Sequence, residues 1–310
     1  MSRLTYIFPV AAVAFLILVF VEYVPLLRKP LPEPPEVKAD ARRWTRRDTV
    51  LAALLTLVYA FVAFLGLGDT RGVQSFLKFR ERGEYALVEL REPVKIGTVR
   101  YYSGLYTENY YLQFSADGET YYDVATLEQS YNNLFKWNRL VFEPDDEPDG
   151  GPVRYVRLVA GGPLWLGEMG IYDASGRLLT AEEMSWPAGC DPMFDEQELI
   201  PEKATYLNST YFDEIYHPRT ALEHIENIWP YEISHPPLGK LILGLGIRLF
   251  GMVPFGWRFS GTLTGVLMLP ALYLFLKKLC GGTAVPFCGT AVFAFDFMHY
   301  FQTRLATIYN

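Results

Sequence analysis

The chain has 310 residues, 50% of them hydrophobic and 15% aromatic, with 28 basic against 35 acidic side chains and a formal net charge of −7. That balance removes the electrostatic basis for binding nucleic acid. Cys190 is the only cysteine of the polar central region, so that region has no internal disulfide; Cys280 and Cys288 lack any C-x-x-C metal spacing.

Along the chain, residues 4–21, 49–68, 259–276 and 279–295 form apolar runs without a charge. A helix needs about 20 mostly apolar residues to cross the hydrocarbon core, with about 17 as the lower end. The first two runs meet that length well and the last two at its lower limit. "EYVPLLRKPLPEPP" after the first run has no small-x-small cleavage site, so the run reads as an anchor, not a cleaved signal peptide. Arg28, Lys29, Lys38, Arg42, Arg43, Arg46 and Arg47 lie between the first two runs. Short basic loops stay cytoplasmic. Residues 1–70 are therefore expected to form a transmembrane hairpin with a basic cytoplasmic turn, after which the chain emerges outside the cell membrane.

Residues 71–180 change character. "YALVELR", "VKIGTVRYY", "YYLQFSA", "YYDVATL", "WNRLVFE", "VRYVRLVA" and "LWLGEMGIYD" alternate apolar and polar residues between Gly, Asp, Pro and Asn turns. The spacing predicts an antiparallel sandwich of about seven or eight strands. "VRYVRLVA…LGEMGIYDASGRLL" resembles a discoidin-like jelly roll, whose members often bind sugars through aromatic and polar loop residues. That resemblance makes "YYSGLYTENYY" (101–111) and Trp137 candidate sugar contacts. Packing on a sheet face explains tyrosines in strands equally well.

Residues 181–235 lack strand alternation. "YFDEIYH" sets Asp213 beside Glu214, and "TALEHIENIW" has helical spacing through Ala221, Leu222, Ile225 and Ile228, which predicts a short amphipathic helix along the membrane face. Asp213 suits either a helix cap or a chemical role. "HPPLGK" (235–240) places prolines at a helix start, with Lys240 in its first turn. That is the unfavourable end of the helix dipole for a cation. A phosphate or carboxylate sharing the site would account for it, as would a snorkelling lysine. The following "LILGLGIRLFGM" is short and contains Arg248, so it either dips into the bilayer or crosses it. Lys277 and Lys278 place the end of the next helix inside. If the short run does not cross, the last run climbs out and brings Arg304 to the side of Asp213.

"YFDEIYHPRTALEHI", "PYEISHPPLGKLILGLGIRLFGMVPFGWR" and "FAFDFMHYFQTRLATI" resemble, in order and spacing, the N-terminal part of the protein O-mannosyltransferase family, above all its bacterial phospholipid-carrier-dependent members. The likeness covers about residues 190–310. It implies a multi-pass α-helical membrane protein of the C-type glycosyltransferase class. Residues 236–310 would begin its helical core, residues 181–235 its extracytoplasmic catalytic loop, and the all-β jelly-roll sandwich would be an insertion. It implies transfer of a sugar, usually mannose, from a polyprenyl-phosphate donor to a hydroxyl, with protein Ser/Thr or a glycan as acceptor. By resemblance Asp213 is the general base and Glu214 its supporting acid. Lys240 and Arg304 would stabilise the departing phosphate, and His235 would orient it. A single displacement predicts inversion at the sugar carbon. No cofactor is implied beyond the lipid-linked donor, and no metal cluster is visible in the spacing.

Two departures qualify the likeness. The position five after Arg304, usually an aspartate in relatives, is Tyr309, and the chain stops at Asn310 where the family continues through further helices. The chain is accordingly expected to be an incomplete, inactive N-terminal fragment. A membrane-tethered carbohydrate-binding protein that works through its sandwich is the rival reading.

Overall fold

The computed structural model describes Ile17, residues 39–142 and residues 151–308. The first apolar run apart from Ile17, together with Arg28, Lys29, Lys38 and Tyr309, lies outside the described residues.

The second apolar run forms helix α1, Arg46–Phe64. Thr45 caps it: its hydroxyl accepts the Asp48 N–H at 3.3 Å, and its own N–H donates to the Asp48 carboxylate at 2.9 Å. Asp48 also faces Lys277 Nζ at 2.9 Å and accepts the Tyr273 hydroxyl at 3.1 Å, with Asp48 and Lys277 both buried. Lys277 is thus a buried partner of Asp48, while Lys278 stays exposed.

The sandwich follows. Strands β1 Leu77–Phe79, β8 Leu164–Asp173, β3 Ile96–Ser103 and β6 Lys136–Val141 form one sheet in that order. The other runs β5 Tyr122–Gln129, β4 Glu108–Ser115, β7 Val153–Ala160, β2 Tyr85–Val94 and β9 Met184–Ser185. Every pairing is antiparallel. All seven expected runs are strands; the short β1 and β9 were too brief to carry a period. Val99, Leu166 and Ile171 of one sheet meet Val88, Leu112 and Val156 of the other in a single core.

Tyr101, Tyr102, Tyr110 and Trp137 are buried, which corrects their reading as sugar contacts: Tyr101 and Tyr110 pack between the sheets, and Tyr102 and Trp137 pack against the helical layer. Alternation fails in β8, where every residue from Leu164 to Ile171 is buried. The second sheet covers one face, while Val73 and Ile200 press on Gly167 and Gly170 from the other side. Glu168 is caught in this strand, fully buried, with Oε2 accepting the Glu196 N–H at 2.7 Å. Burial, with the nearby charges of Asp195 and Glu196, pushes its carboxyl from 4.5 up to about 9, against the Glu196 hydrogen bond. The folded state therefore binds this proton more tightly than the unfolded chain. Its contribution to stability is complete below about pH 4.5 and is lost as pH rises through 9, by at most about 1.4 kcal/mol per unit. Denaturant midpoints of the sandwich should fall between pH 5 and 8.5, and Glu168→Gln should flatten that decline.

The helical part comprises α2 His217–Ile225, α3 Pro237–Phe250, α4 Pro254–Cys280, α5 Ala284–Ala294 and α6 Phe297–Thr303. Among the described residues, two helical stretches are long and apolar enough to cross a membrane, α1 with the turn before it and α4. The end of α1 meets the start of α4 at Gly68, where a Cβ would lie 2.6 Å from that of Pro254. Two expectations need correction. The run 279–295 is not one span: Gly281 and Gly282 turn the chain with positive φ, and α5 has only 11 residues. That is roughly 17 Å of helix, too short to cross alone. Asp296 then caps a new helix by accepting the His299 N–H at 3.0 Å. Helix α2 is enclosed rather than laid open on a face, with His217 to Glu223 all buried.

Helix α3 has 14 residues, roughly 21 Å of helix and short of the hydrocarbon core. Its start touches Ile308 through Gly239, and Gly246 packs on Gly256 and Ser260 in the first turns of α4. Leu238, Leu241, Leu245 and Leu249 are exposed along one face, while Lys240, Leu243 and Ile247 are buried on the other. A second core joins the sandwich to this layer: Phe135, Trp137 and Trp165 pack with Leu222, Ile247, Trp257 and Ala306.

Candidate active site

The loop that carries Asp213 is built onto the sandwich. Thr210 donates its N–H to Phe135 O at 3.0 Å and its hydroxyl to Leu134 O at 2.7 Å, while Trp137 N–H donates to Ser209 Oγ at 3.3 Å. The chain then enters a short turn, Phe212–Ile215, with Phe212 at φ +52° and 68% exposed. A left-handed aromatic residue costs about 1 kcal/mol, and such strain collects at functional positions.

The two adjacent acids part company here. Glu214 is fully buried against the equally buried Arg258, which donates Nε to Oε1 at 2.6 Å and Nη2 to Oε2 at 2.5 Å. Glu214 also accepts the N–H groups of Tyr211 at 2.9 Å and Ala306 at 3.0 Å. Arg258 donates further to the carbonyls of Leu67, Tyr206 and Ser209, and its guanidinium lies 3.6 Å from the Tyr206 ring centre. Glu214, expected as a supporting acid, is therefore placed as the centre of a sealed network. That network ties the end of α1, the loop, α4 and the last described segment together. Arg258 is the residue beside the site that the sequence reading missed. The signal was an arginine within the first turns of an otherwise apolar helix, a position that demands a partner.

Asp213 is half-buried, and its carboxylate accepts no hydrogen bond from the described residues. It does not cap α2, whose N-cap is Tyr216. Its charge is felt by His217, the buried first residue of α2. Burial pushes the His217 imidazole below its usual value, His235 and Lys240 add to this, and Glu232 and Asp213 oppose it. His217 is accordingly neutral at pH 7, with its ring centre 5.7 Å from that of His235.

Lys240 is buried and ion-paired with Glu232, and its Nζ donates to Glu232 O at 2.6 Å and His235 O at 3.4 Å. The anion that the helix start called for is this carboxylate. Burial alone would raise the Glu232 carboxyl. Hydrogen bonds from Lys240, Ser234 and His235 outweigh it and hold the group well below the usual carboxylate range. His235 Nδ1 lies 3.1 Å from Glu232 Oε1.

Arg304 is different in kind. It donates to the carbonyls of Leu65 at 2.9 Å and Gly66 at 2.8 Å and to the Tyr300 hydroxyl, so its described partners are all neutral. Its buried Nε has no hydrogen-bond partner among the described residues. It lines an open cavity of about 320 Å³ with Gly66, Tyr206, Tyr300, Phe301 and Leu305. His217 couples Asp213 electrostatically to Glu232, His235 and Lys240. Arg304 reaches the Glu214–Arg258 network through Ala306, two residues on, and through the Tyr206 hydroxyl, which donates to Arg304 O at 3.0 Å. Among the described residues no cluster of His, Cys, Asp and Glu could hold a metal ion.

Fold and site define a β-sandwich fused to a layer of apolar helices, with a carboxylate and a guanidinium that form no ion pair among the described residues, both tied to one buried ion pair. Part of the chain is similar to enzymes called polyprenol-phosphate-mannose-protein mannosyltransferase. The Mycobacterium tuberculosis protein is 26% identical over 117 residues, 38% of this chain and 20% of its own length. A Mycolicibacterium smegmatis protein is 26% identical over 117 residues, and that of Corynebacterium glutamicum 33% over 97 residues, 31% of this chain and 17% of its own. No family model matches the chain. The match spans a fifth or less of the length of these relatives. At a coarse level these similarities point to a glycosyltransferase.

Proposed function

We propose that this chain supplies the acceptor-activating carboxylate and a donor-binding cation of an enzyme that moves mannose from a polyprenyl phosphate to a protein hydroxyl on the outer membrane face. The observation that carries the reading is Asp213, held in place by a fully committed neighbour while its own carboxylate accepts no hydrogen bond from the described residues. A general base needs that freedom, since its lone pairs must be available to the incoming hydroxyl. The acceptor oxygen attacks the anomeric carbon as the bond from that carbon to the phosphate oxygen breaks. Asp213 takes the hydroxyl proton, the bonding pair leaves with the phosphate, and the sugar carbon inverts. Phosphate is a stable anion and needs cations, not an acid, to leave.

Arg304 suits that role better than Lys240, whose charge Glu232 already balances. In this reading Lys240 and Glu232 shape the turn that presents His235. The arginine fork matters for phosphate oxygens. Arg304→Lys should raise the donor KM about tenfold while leaving the acceptor KM near its original value. The direct test is transfer of labelled mannose from polyprenyl-phosphate-mannose to a threonine-containing peptide by the full-length protein in membranes. Asp213→Asn should lose the activity, and full activity in that variant would remove Asp213 as the base. The rival, sugar binding by the sandwich, is weakened by the burial of Trp137, Tyr101, Tyr102 and Tyr110.

A further inference from the structure

The sandwich is more than a passenger at this site. The turn between β5 and β6, Tyr131–Asn133, packs against the Phe212–Ile215 turn that holds Asp213. Tyr131 reaches the catalytic loop itself: its ring centre lies 5.6 Å from that of Tyr231 and 6.4 Å from that of Tyr216. Tyr231 is in turn backed by the Arg219 guanidinium, 4.0 Å from its ring centre, and its N–H donates to Glu223 at 2.7 Å. Arg219 and Glu223 are buried and paired at 2.8 Å, so the support is rigid. Packing would account for these rings if they were enclosed, but Tyr131 is 41% and Tyr231 43% exposed. Asn132 is exposed beside them. The turn is fixed from below, with Asn133 Nδ2 donating to Glu128 O at 2.9 Å and Asn133 O accepting the Ser103 hydroxyl.

We propose that Tyr131 and Asn132 of the sandwich, with Tyr231 of the loop, form the acceptor-binding ledge beside Asp213, and that they take an extended segment of polypeptide. This deepens the acceptor reading above and rests on it. The three ledge side chains carry no charge, and the Arg219 cation beneath Tyr231 is already paired with Glu223, so the ledge offers a lipid phosphate no counter-charge. Tyrosine rings give large, rigid contact at little entropic cost and tolerate varied side chains. An exposed amide can both donate to and accept from a peptide backbone. The insertion would then select the acceptor, while donor binding stays with the helices.

The test is steady-state transfer by the full-length protein, varying a threonine-containing peptide and polyprenyl-phosphate-mannose separately. Tyr131→Ala and Asn132→Ala should each raise the peptide KM about tenfold, with donor KM and kcat within about twofold. Tyr131→Phe, which keeps the ring face, should recover most of the peptide affinity. An unchanged peptide KM in both alanine variants overturns the proposal. So does a parallel fall of kcat with a rise of both KM values, which marks a structural role. Competition by a free mannose oligosaccharide that the alanine variants abolish would assign the ledge to a glycan and also overturn it. If Asp213→Asn is inactive while Tyr131→Ala and Asn132→Ala behave as wild type, the ledge alone is wrong; if Asp213→Asn is active, the function reading is wrong.

Discussion

Asp213→Asn is expected to lower mannose transfer about a thousandfold with almost no effect on folding. General-base catalysis contributes about 10²–10⁴ in rate, and an amide cannot take the hydroxyl proton. The side chain accepts no hydrogen bond from the described residues, so the isosteric change breaks no hydrogen bond to them and removes only its charge beside His217. Thermal unfolding and donor KM should stay close to the parent values, and the loss should appear in kcat. The neighbouring position gives the contrast. A variant that instead lost stability along with activity would place Asp213 among the structural acids.

Glu214→Gln should behave in the opposite way. The carboxylate and Arg258 are both fully buried, and between them they satisfy the N–H groups of Tyr211 and Ala306 and the carbonyls of Leu67, Tyr206 and Ser209. Removing one partner of a buried pair leaves an uncompensated charge, at about 3–5 kcal/mol. Chemical denaturation of the detergent-solubilised protein should register that loss, and Arg258→Met should match it. The double variant Glu214→Leu, Arg258→Met should regain part of the stability, since apolar replacements of a whole pair are often tolerated. It should not regain activity, because Ala306 and the segment from Arg304 onward lose their tether. A double variant as unstable as either single one would show that the hydrogen bonds to the loop, not the charge balance, dominate.

The contrast between these neighbours also shows how much of the site was legible. "FDE" marks two acids at a loop, and nothing local distinguishes them. A 3-10 turn separates their directions, and only the arrival of Arg258 from a residue 44 positions later assigns one to the interior. "HPPLGK" was more informative. A lysine in the first turn of a helix calls for an anion by electrostatics alone, and an anion is there. That it is Glu232, eight residues back, and not a bound phosphate depends on how the 226–236 segment folds over the helix start. The expectation that Arg304 reaches the side of Asp213 rested on the run 279–295 crossing as one span, which Gly281 and Gly282 break. That its partners among the described residues are all neutral, which favours it as the phosphate ligand, could not be read from the sequence.

Local patterning by itself determined the strands and the helix starts. Alternation between apolar and polar residues is imposed by the two faces of a sheet, so all seven long strands were visible, and proline at a first turn marked α3. Tertiary structure decided what each face meets. It buried both faces of β8 and trapped Glu168, broke the run 279–295 at Gly281 and Gly282, packed α3 on the start of α4, and brought the Tyr131–Asn133 turn against the turn that holds Asp213. Hydrophobic periodicity is a property of neighbouring residues. Partnership between charges and rings distant in sequence is created only when packed layers bring them within a few ångströms.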